Sequence, residues 1–199
     1  MNPGTGTPWL GDPETLSEAI YTGLHAAVSK AETVSVPEIR VLNQEAAIPL
    51  DMERHAAWLA FYREDPSRCD GGAWVDPPFA ADWHREMSEW DASRIAYSTP
   101  ISGFRLGEVA VVFHPAELYS YYGLKIRHND LFRHTVVVGY ADDFIGYLTD
   151  SNAYVAGEYA AITVPKIVGL PPFTPDAARH LAAGMETLLS RLADEANAG

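Results

Sequence analysis

Glu117 is the carboxylate in this sequence whose position best suits chemistry. It follows the apolar run 109–113 and Pro115, which predict a buried strand leading into a helix. A carboxylate on such a rigid junction could act as a metal ligand or a general base. Equally, the positive end of the helix dipole could favour a carboxylate at this position without any further role. Spacing alone leaves both interpretations open.

A second candidate segment, residues 139–147, also follows a predicted buried strand, Thr135–Val138. Sites in α/β sheets gather where strands end, so we expect this segment to lie close to Glu117. Asp142 and Asp143 could bind a cation. Adjacent side chains usually point apart, however, and turn or capping roles are therefore favoured for the two aspartates.

Tyrosines supply the other candidate oxygen donors of this region. Tyr147 falls on a predicted loop. Tyr154 falls in the short helix that follows this loop, and Tyr159 comes just after that helix. A tyrosine hydroxyl can donate a hydrogen bond to an oxyanion, and a phenolate can ligate a metal ion.

Several other site types find no support in the sequence. None of the seven histidines forms an H-x-H or H-E-x-x-H pair, so no zinc spacing is present, and only His114, at a strand end, is placed for a role. The single cysteine, Cys69, excludes an internal disulfide framework and a multi-thiolate metal site. No G-x-S-x-G nucleophile elbow occurs.

Composition fits one globular domain. The 199 residues are 47% hydrophobic and carry a net charge of −13, from 14 basic and 27 acidic side chains. This charge argues against nucleic acid and against anionic lipid surfaces as partners. No apolar stretch is long enough to span a membrane, and residues 1–8 do not form a signal peptide. That loop-like start predicts a chain that begins inside a longer fold, although a frayed terminus would look the same.

Strands alternate with helices along the chain, which predicts an α/β fold with mixed β-sheets layered with helices. The apolar runs near 109–113 and 135–138 predict strands covered on both faces. The predicted helices are 13–32, with Asp12 as N-cap, 51–63, 79–90, 115–127, 151–156 and 175–192. The predicted strands are 37–47, 103–113, 135–138 and 159–164, with loops over 64–78 and 142–149.

Two blocks of sequence resemble the neutral/alkaline non-lysosomal ceramidase family. The first runs from Val109 through Pro115-Ala116-Glu117 to Arg127, a strand, a Pro-x-Glu turn and a helix with basic residues at its end. The second runs from His134 to Thr149 and is followed by Tyr154 and Gly157-Glu158-Tyr159. The resemblance covers most of the chain and is weakest over 64–99.

The resemblance implies a zinc amidase that splits the N-acyl bond of ceramide, or a related N-acyl lipid, into fatty acid and sphingoid base. Glu117 and Tyr147 match positions of two metal ligands in the family, and Tyr159 matches an active-site tyrosine that would stabilise the oxyanion. Zinc would polarise the amide carbonyl. Phe144 and Ile145 line a substrate channel in this interpretation, although core packing would explain them equally well.

The same resemblance implies an incomplete site. Two further histidine ligands of the family are expected upstream, outside this chain, and Asn2 stands where the family has a functional serine. We therefore expect residues 1–199 to form the C-terminal half of a ceramidase-like catalytic domain, with no separate second domain. The missing N-terminal half would be its partner, and any export signal would lie upstream. The isolated chain would be inactive, and its exposed apolar surface would favour self-association. The alternative is a non-catalytic remnant or binding module of the same fold.

Overall fold

The computed structural model of the chain describes residues 13–33, 38–70 and 77–194. The predictions for residues 1–8, for Asn2 and for the Asp12 cap lie outside these residues. The helices are α1 (Pro13–Ser29), α2 (Met52–Glu64), α3 (Pro77–Met87), α4 (Ser120–Arg127), α5 (Ser151–Ala156), α6 (Tyr159–Ile162), α7 (Val164–Ile167) and α8 (Ala177–Asp194), and a 3-10 turn spans Pro66–Asp70. The strands are β1 (Ile39–Pro49), β2 (Ala96–Leu106), β3 (Val109–Phe113), β4 (Ala116–Leu118), β5 (His134–Val138) and β6 (Gly146–Leu148). Within the described ranges, no helix has both the length and the apolar character needed to cross a bilayer.

The main sheet has four strands in the order β1-β2-β3-β5. Its first two pairings are antiparallel and the β3–β5 pairing is parallel. Helix α8 packs on one face of this sheet through a fully buried stripe that includes Leu181, Met185 and Leu188. The predicted α/β fold with mixed sheets is therefore confirmed.

The other face of the main sheet corrects one prediction. The register places Val41, Phe104, Val111 and Val136 in one row across all four strands. Val41 is 63% exposed and Val136 is 47% exposed, so the described residues bury this face only in part. The prediction that β3 and β5 are covered on both faces was wrong for this part of the chain. The predicted strand 103–113 is also two strands, because Gly107 (φ 57°) makes the turn of a hairpin.

A second sheet, built from β4 and β6 in parallel, corrects two further assignments. Residues 116–118 were predicted as helix and 146–148 as loop. The amide of Tyr119 instead donates to the carbonyl of Leu148 at 3.1 Å, which keeps this stretch extended until α4 begins at Ser120. Residues 159–164, predicted as a strand, belong to the short helices α6 and α7.

A smaller core lies beside the main one, between α2, the 3-10 turn and α3. It buries Tyr62, Cys69 and Trp83. The side chain of Lys166, from α7, reaches this cluster and lies over the ring of Trp58.

Candidate functional site

The parallel pairing of β4 and β6 brings Glu117 and Tyr147 directly opposite each other. Neighbouring strands lie about 4.8 Å apart, so the two side chains leave the backbone as close neighbours. The flanking residues Ala116 and Leu148 are fully buried. Alternation along each strand therefore turns Glu117 and Tyr147 away from the core, toward the opposite face.

That face is the wall of a cleft of about 1980 Å³ between α4, β5, the β4–β6 pair and the start of α6. Glu117 and Tyr147 line it, as does Tyr159, which is the first residue of α6. The structure thus brings the three predicted catalytic and metal-ligating residues together in one cleft. Their roles as ligands and donor remain predictions.

The Glu117 carboxylate lies among phenols in the wall of the cleft. Hydrogen bonding to Glu117 is the largest cause that raises the pKa of Tyr147, to about 12, and burial and the charge of Glu117 add to it. Burial and then Glu117 raise the pKa of Tyr140. Both phenols are therefore protonated near neutral pH and can donate hydrogen bonds to the Glu117 side chain. We call Glu117, Tyr140, Tyr147 and Tyr159 the carboxylate–phenol cluster.

Tyr140 was not predicted as a site residue. Its φ of 59° is a left-handed conformation that side chains other than glycine rarely adopt. The ring is 62% exposed and stacks on Phe144, with centroids 5.8 Å apart and an interplanar angle of 12°. Backbone strain of this kind concentrates at functional sites. The signal in the sequence was its place two residues after the end of β5.

Tyr119 is a second cleft residue that sequence reasoning missed. Its hydroxyl donates to the carboxylate of Glu158 at 3.0 Å, and burial and Glu158 raise its pKa. Its ring packs edge-on against the ring of Tyr147, with the two centroids 6.3 Å apart. It follows Glu117 by two positions, and this spacing along an extended segment could have identified it.

Phe144 and Ile145, predicted to line a substrate channel, lie at different depths. Ile145 is 1% exposed in the main core, whereas Phe144 is exposed on the surface. The wall of the cleft, as the described residues form it, includes neither of them. Phe144 contacts the site through its stacking on Tyr140.

Asp142 and Asp143 anchor the loop that carries Tyr140. Asp143 accepts hydrogen bonds from the Thr99 hydroxyl at 2.9 Å and the Tyr97 hydroxyl at 3.2 Å. Asp142 accepts one from the Ser102 hydroxyl at 2.7 Å. The two aspartates thus tie the loop to β2, in agreement with the turn interpretation.

His114 holds the junction between β3 and β4. Burial lowers its pKa to about 4, so the ring is neutral near pH 7. Its Nδ1 accepts a hydrogen bond from the amide of Ala116 at 3.3 Å. Because one ring nitrogen is used in this way and the pKa lies far below neutrality, His114 suits a structural role better than that of a general base.

The described residues do not form a complete metal site by themselves. Glu117 and Tyr147 offer two oxygen donors on adjacent strands. Across residues 13–33, 38–70 and 77–194, no group of three or more His, Cys, Asp or Glu side chains is placed to hold a metal ion. Zinc sites use at least three protein ligands, so the donor set fits two positions of such a site and needs others to complete it.

Scans of the sequence against protein-family models and against curated proteins find no match. The neutral ceramidase from Pseudomonas aeruginosa superposes with a TM-score of 0.48 at 17% identity, over 93% of this chain and 33% of that chain. A ceramidase complexed with C2 gives a TM-score of 0.51 at 16% identity, over 98% and 36%. The chain has a ceramidase-like fold. It spans about a third of the length of the ceramidase structures it resembles.

Proposed function

We propose that this chain forms part of a zinc-dependent amidohydrolase that cleaves the N-acyl bond of ceramide or a related N-acyl lipid. The observation that carries the proposal is the in-register pairing of Glu117 with Tyr147 in the wall of a large cleft. The ceramidase-like fold supports it.

Each residue of the carboxylate–phenol cluster has a distinct task in this proposal. Glu117 and Tyr147 would hold the zinc ion together with two histidines from outside this chain, and zinc would supply Lewis-acid polarisation of the amide carbonyl. The hydroxyl of Tyr159, 44% exposed at the cleft, would donate to the oxyanion. Tyr140 would add a second phenol donor to the Glu117 carboxylate and keep that oxygen in place.

The test uses the longest natural polypeptide that contains this chain. We expect it to hold about one zinc ion and to release fatty acid from ceramide. Glu117→Gln and Tyr147→Phe should each lower both zinc content and turnover. The matched control is Tyr121→Phe, at a cleft tyrosine that is 68% exposed and lies outside the cluster. Zinc content that both cluster variants leave unchanged would refute the ligand assignment.

The isolated 199 residues provide a second measurement. With two of the required ligands, they should show no amidase turnover at any zinc concentration. Robust turnover by this chain alone would contradict the half-site argument.

A non-catalytic binding module of the same fold is the second candidate function. The hydrogen bonding of Tyr147 to Glu117, which raises the phenol pKa to about 12, gives the carboxylate a partner without any metal ion. In that case the full-length protein would bind an N-acyl lipid in the cleft, hold no zinc and release no fatty acid.

A further inference from the structure

The cleft has a basic end opposite the carboxylate–phenol cluster. Arg127, His128, Arg133 and His134 all line it and are all exposed. We call these four residues the basic end. Such a grouping is unexpected in a chain with only 14 basic residues and a net charge of −13.

Most of the basic end is unneutralised. Arg133 makes two ion pairs of 3.6 Å, with Glu32 and Glu108, and all three side chains are more than half exposed. Among the described residues, no ion pair or side-chain hydrogen bond engages Arg127, His128 or His134. A guanidinium that is exposed in a cleft and has no partner is suited to bind a carboxylate, sulfate or phosphate, because its planar fork matches those groups.

The two ends of the cleft are separated by one helix and one strand that run in opposite directions. Helix α4 starts just after β4 and ends at Arg127. Strand β5 starts at His134 and runs back toward β4. At its end, the carbonyl of Val138 accepts a hydrogen bond of 3.0 Å from the amide of His114, which lies just before β4. Eight helical residues at 1.5 Å each span about 12 Å, and the four steps of the five-residue strand span about 13 Å.

The wall between the two ends is apolar. Leu124 on α4 and Val136 on β5 are 48% and 47% exposed and both line the cleft. A ligand that lies along the cleft therefore meets a carboxylate–phenol cluster, then an apolar wall, then cationic side chains.

We propose that the basic end binds an anionic group, so that the cleft selects elongated amphiphiles whose apolar segment of about 12 Å ends in a carboxylate, sulfate or phosphate. This rests on the proposed function only in taking the cleft as the substrate site, and it makes acidic N-acyl lipids better substrates than neutral ones.

The test is a binding measurement that needs no turnover. Octanoate and 1-octanol, matched in chain length, are titrated into the isotopically labelled chain at low salt and followed by NMR. We expect octanoate to bind at least fivefold more tightly, with shifts in α4 and β5, and added salt to reduce the difference.

A pair of variants on α4 supplies the control. Arg127→Gln should remove most of the preference for octanoate and leave 1-octanol binding unchanged. Lys125→Gln removes the same charge from the same helix, at a lysine that pairs with Glu186 at 3.0 Å and lies outside the cleft wall. It should keep the preference. Equal affinity for the two probes, or equal losses in the two variants, would overturn the anion site.

The two proposals fail in different ways. Loss of octanoate preference in Arg127→Gln, without any amide hydrolysis by the full-length protein, would refute the amidase and keep the anion site. Zinc-dependent hydrolysis of neutral amides, without any preference for octanoate, would refute the anion site and keep the amidase.

Discussion

Lys166 is a buried amine whose charge should be visible in the stability of the protein. It is 6% exposed, its Nζ donates to the carbonyl of Ile162 at 2.7 Å, and it lies 3.4 Å from the centroid of the Trp58 ring. Burial is the main cause that lowers its pKa from 10.5 to about 7, and the charge of Arg54 contributes to the shift. The native state therefore releases this proton far below the pH at which the unfolded chain does.

The sign of the pH dependence follows from proton binding. Between about pH 7 and the ordinary lysine pKa near 10.4, the unfolded state holds more protons than the native state, so the free energy of unfolding rises with pH. Below about pH 7 both states are protonated and the cost of the buried charge is fully present. The rise amounts to about 3 kcal/mol between pH 6 and pH 9, and to about 5 kcal/mol over the whole window.

The perturbation is Lys166→Met, which keeps the length of the side chain and removes the titrating amine. Urea unfolding is measured at several pH values for both proteins, so that contributions from all other groups cancel in the difference. We expect the stability of the wild type relative to the variant to rise by about 3 kcal/mol from pH 6 to pH 9. Lys125→Met, at an exposed lysine, should show no such rise. A flat difference for Lys166→Met would refute the reasoning.

Three further predictions concern the site. Gly146→Ala should lower the free energy of urea unfolding by about 3 kcal/mol, because the φ of Gly146 is 74° and a Cβ would lie 2.7 Å from Val164. The control is Gly123→Ala, which has open space around it and should stabilise α4 by up to about 1 kcal/mol. Glu117→Gln should lower the pKa of Tyr147 from about 12 toward its ordinary value near 10 in a spectrophotometric titration, and an unchanged titration curve would show that Glu117 does not control it. Asp143→Ala should cost about 2 kcal/mol in urea unfolding, since two hydroxyl donors lose their acceptor, and a loss below about 0.5 kcal/mol would contradict the anchoring role.

Much of the architecture could be predicted from the sequence because local signals and packing agree. The apolar stripe of α8 and the apolar runs of β3 and β5 were found where the structure has them. The proximity of Glu117 to the segment 139–147 also followed, since both leave neighbouring strands at the same edge of the main sheet.

The short elements could not be predicted, because three or four residues carry too little pattern. Residues 159–164 contain β-branched and aromatic side chains that favour a strand, yet they form two helices packed in the core. Glu117 and Tyr147 lie on three-residue strands that exist only because they pair with each other. The left-handed backbone of Tyr140 lies in a loop that is held to β2 by contacts between residues more than 40 positions apart, which no local pattern reveals.

The pairing of β4 with β6 also determines how this site can change during evolution. Ladder register, and not the number of intervening residues, sets the separation of the two oxygen donors. Insertions or deletions in the α4–β5 connection leave that separation untouched, whereas a slip of one residue turns one donor into the core. Relatives should therefore be sought by the two strand motifs with a variable gap between them, because a search with fixed spacing would miss any that carry an insertion or deletion there.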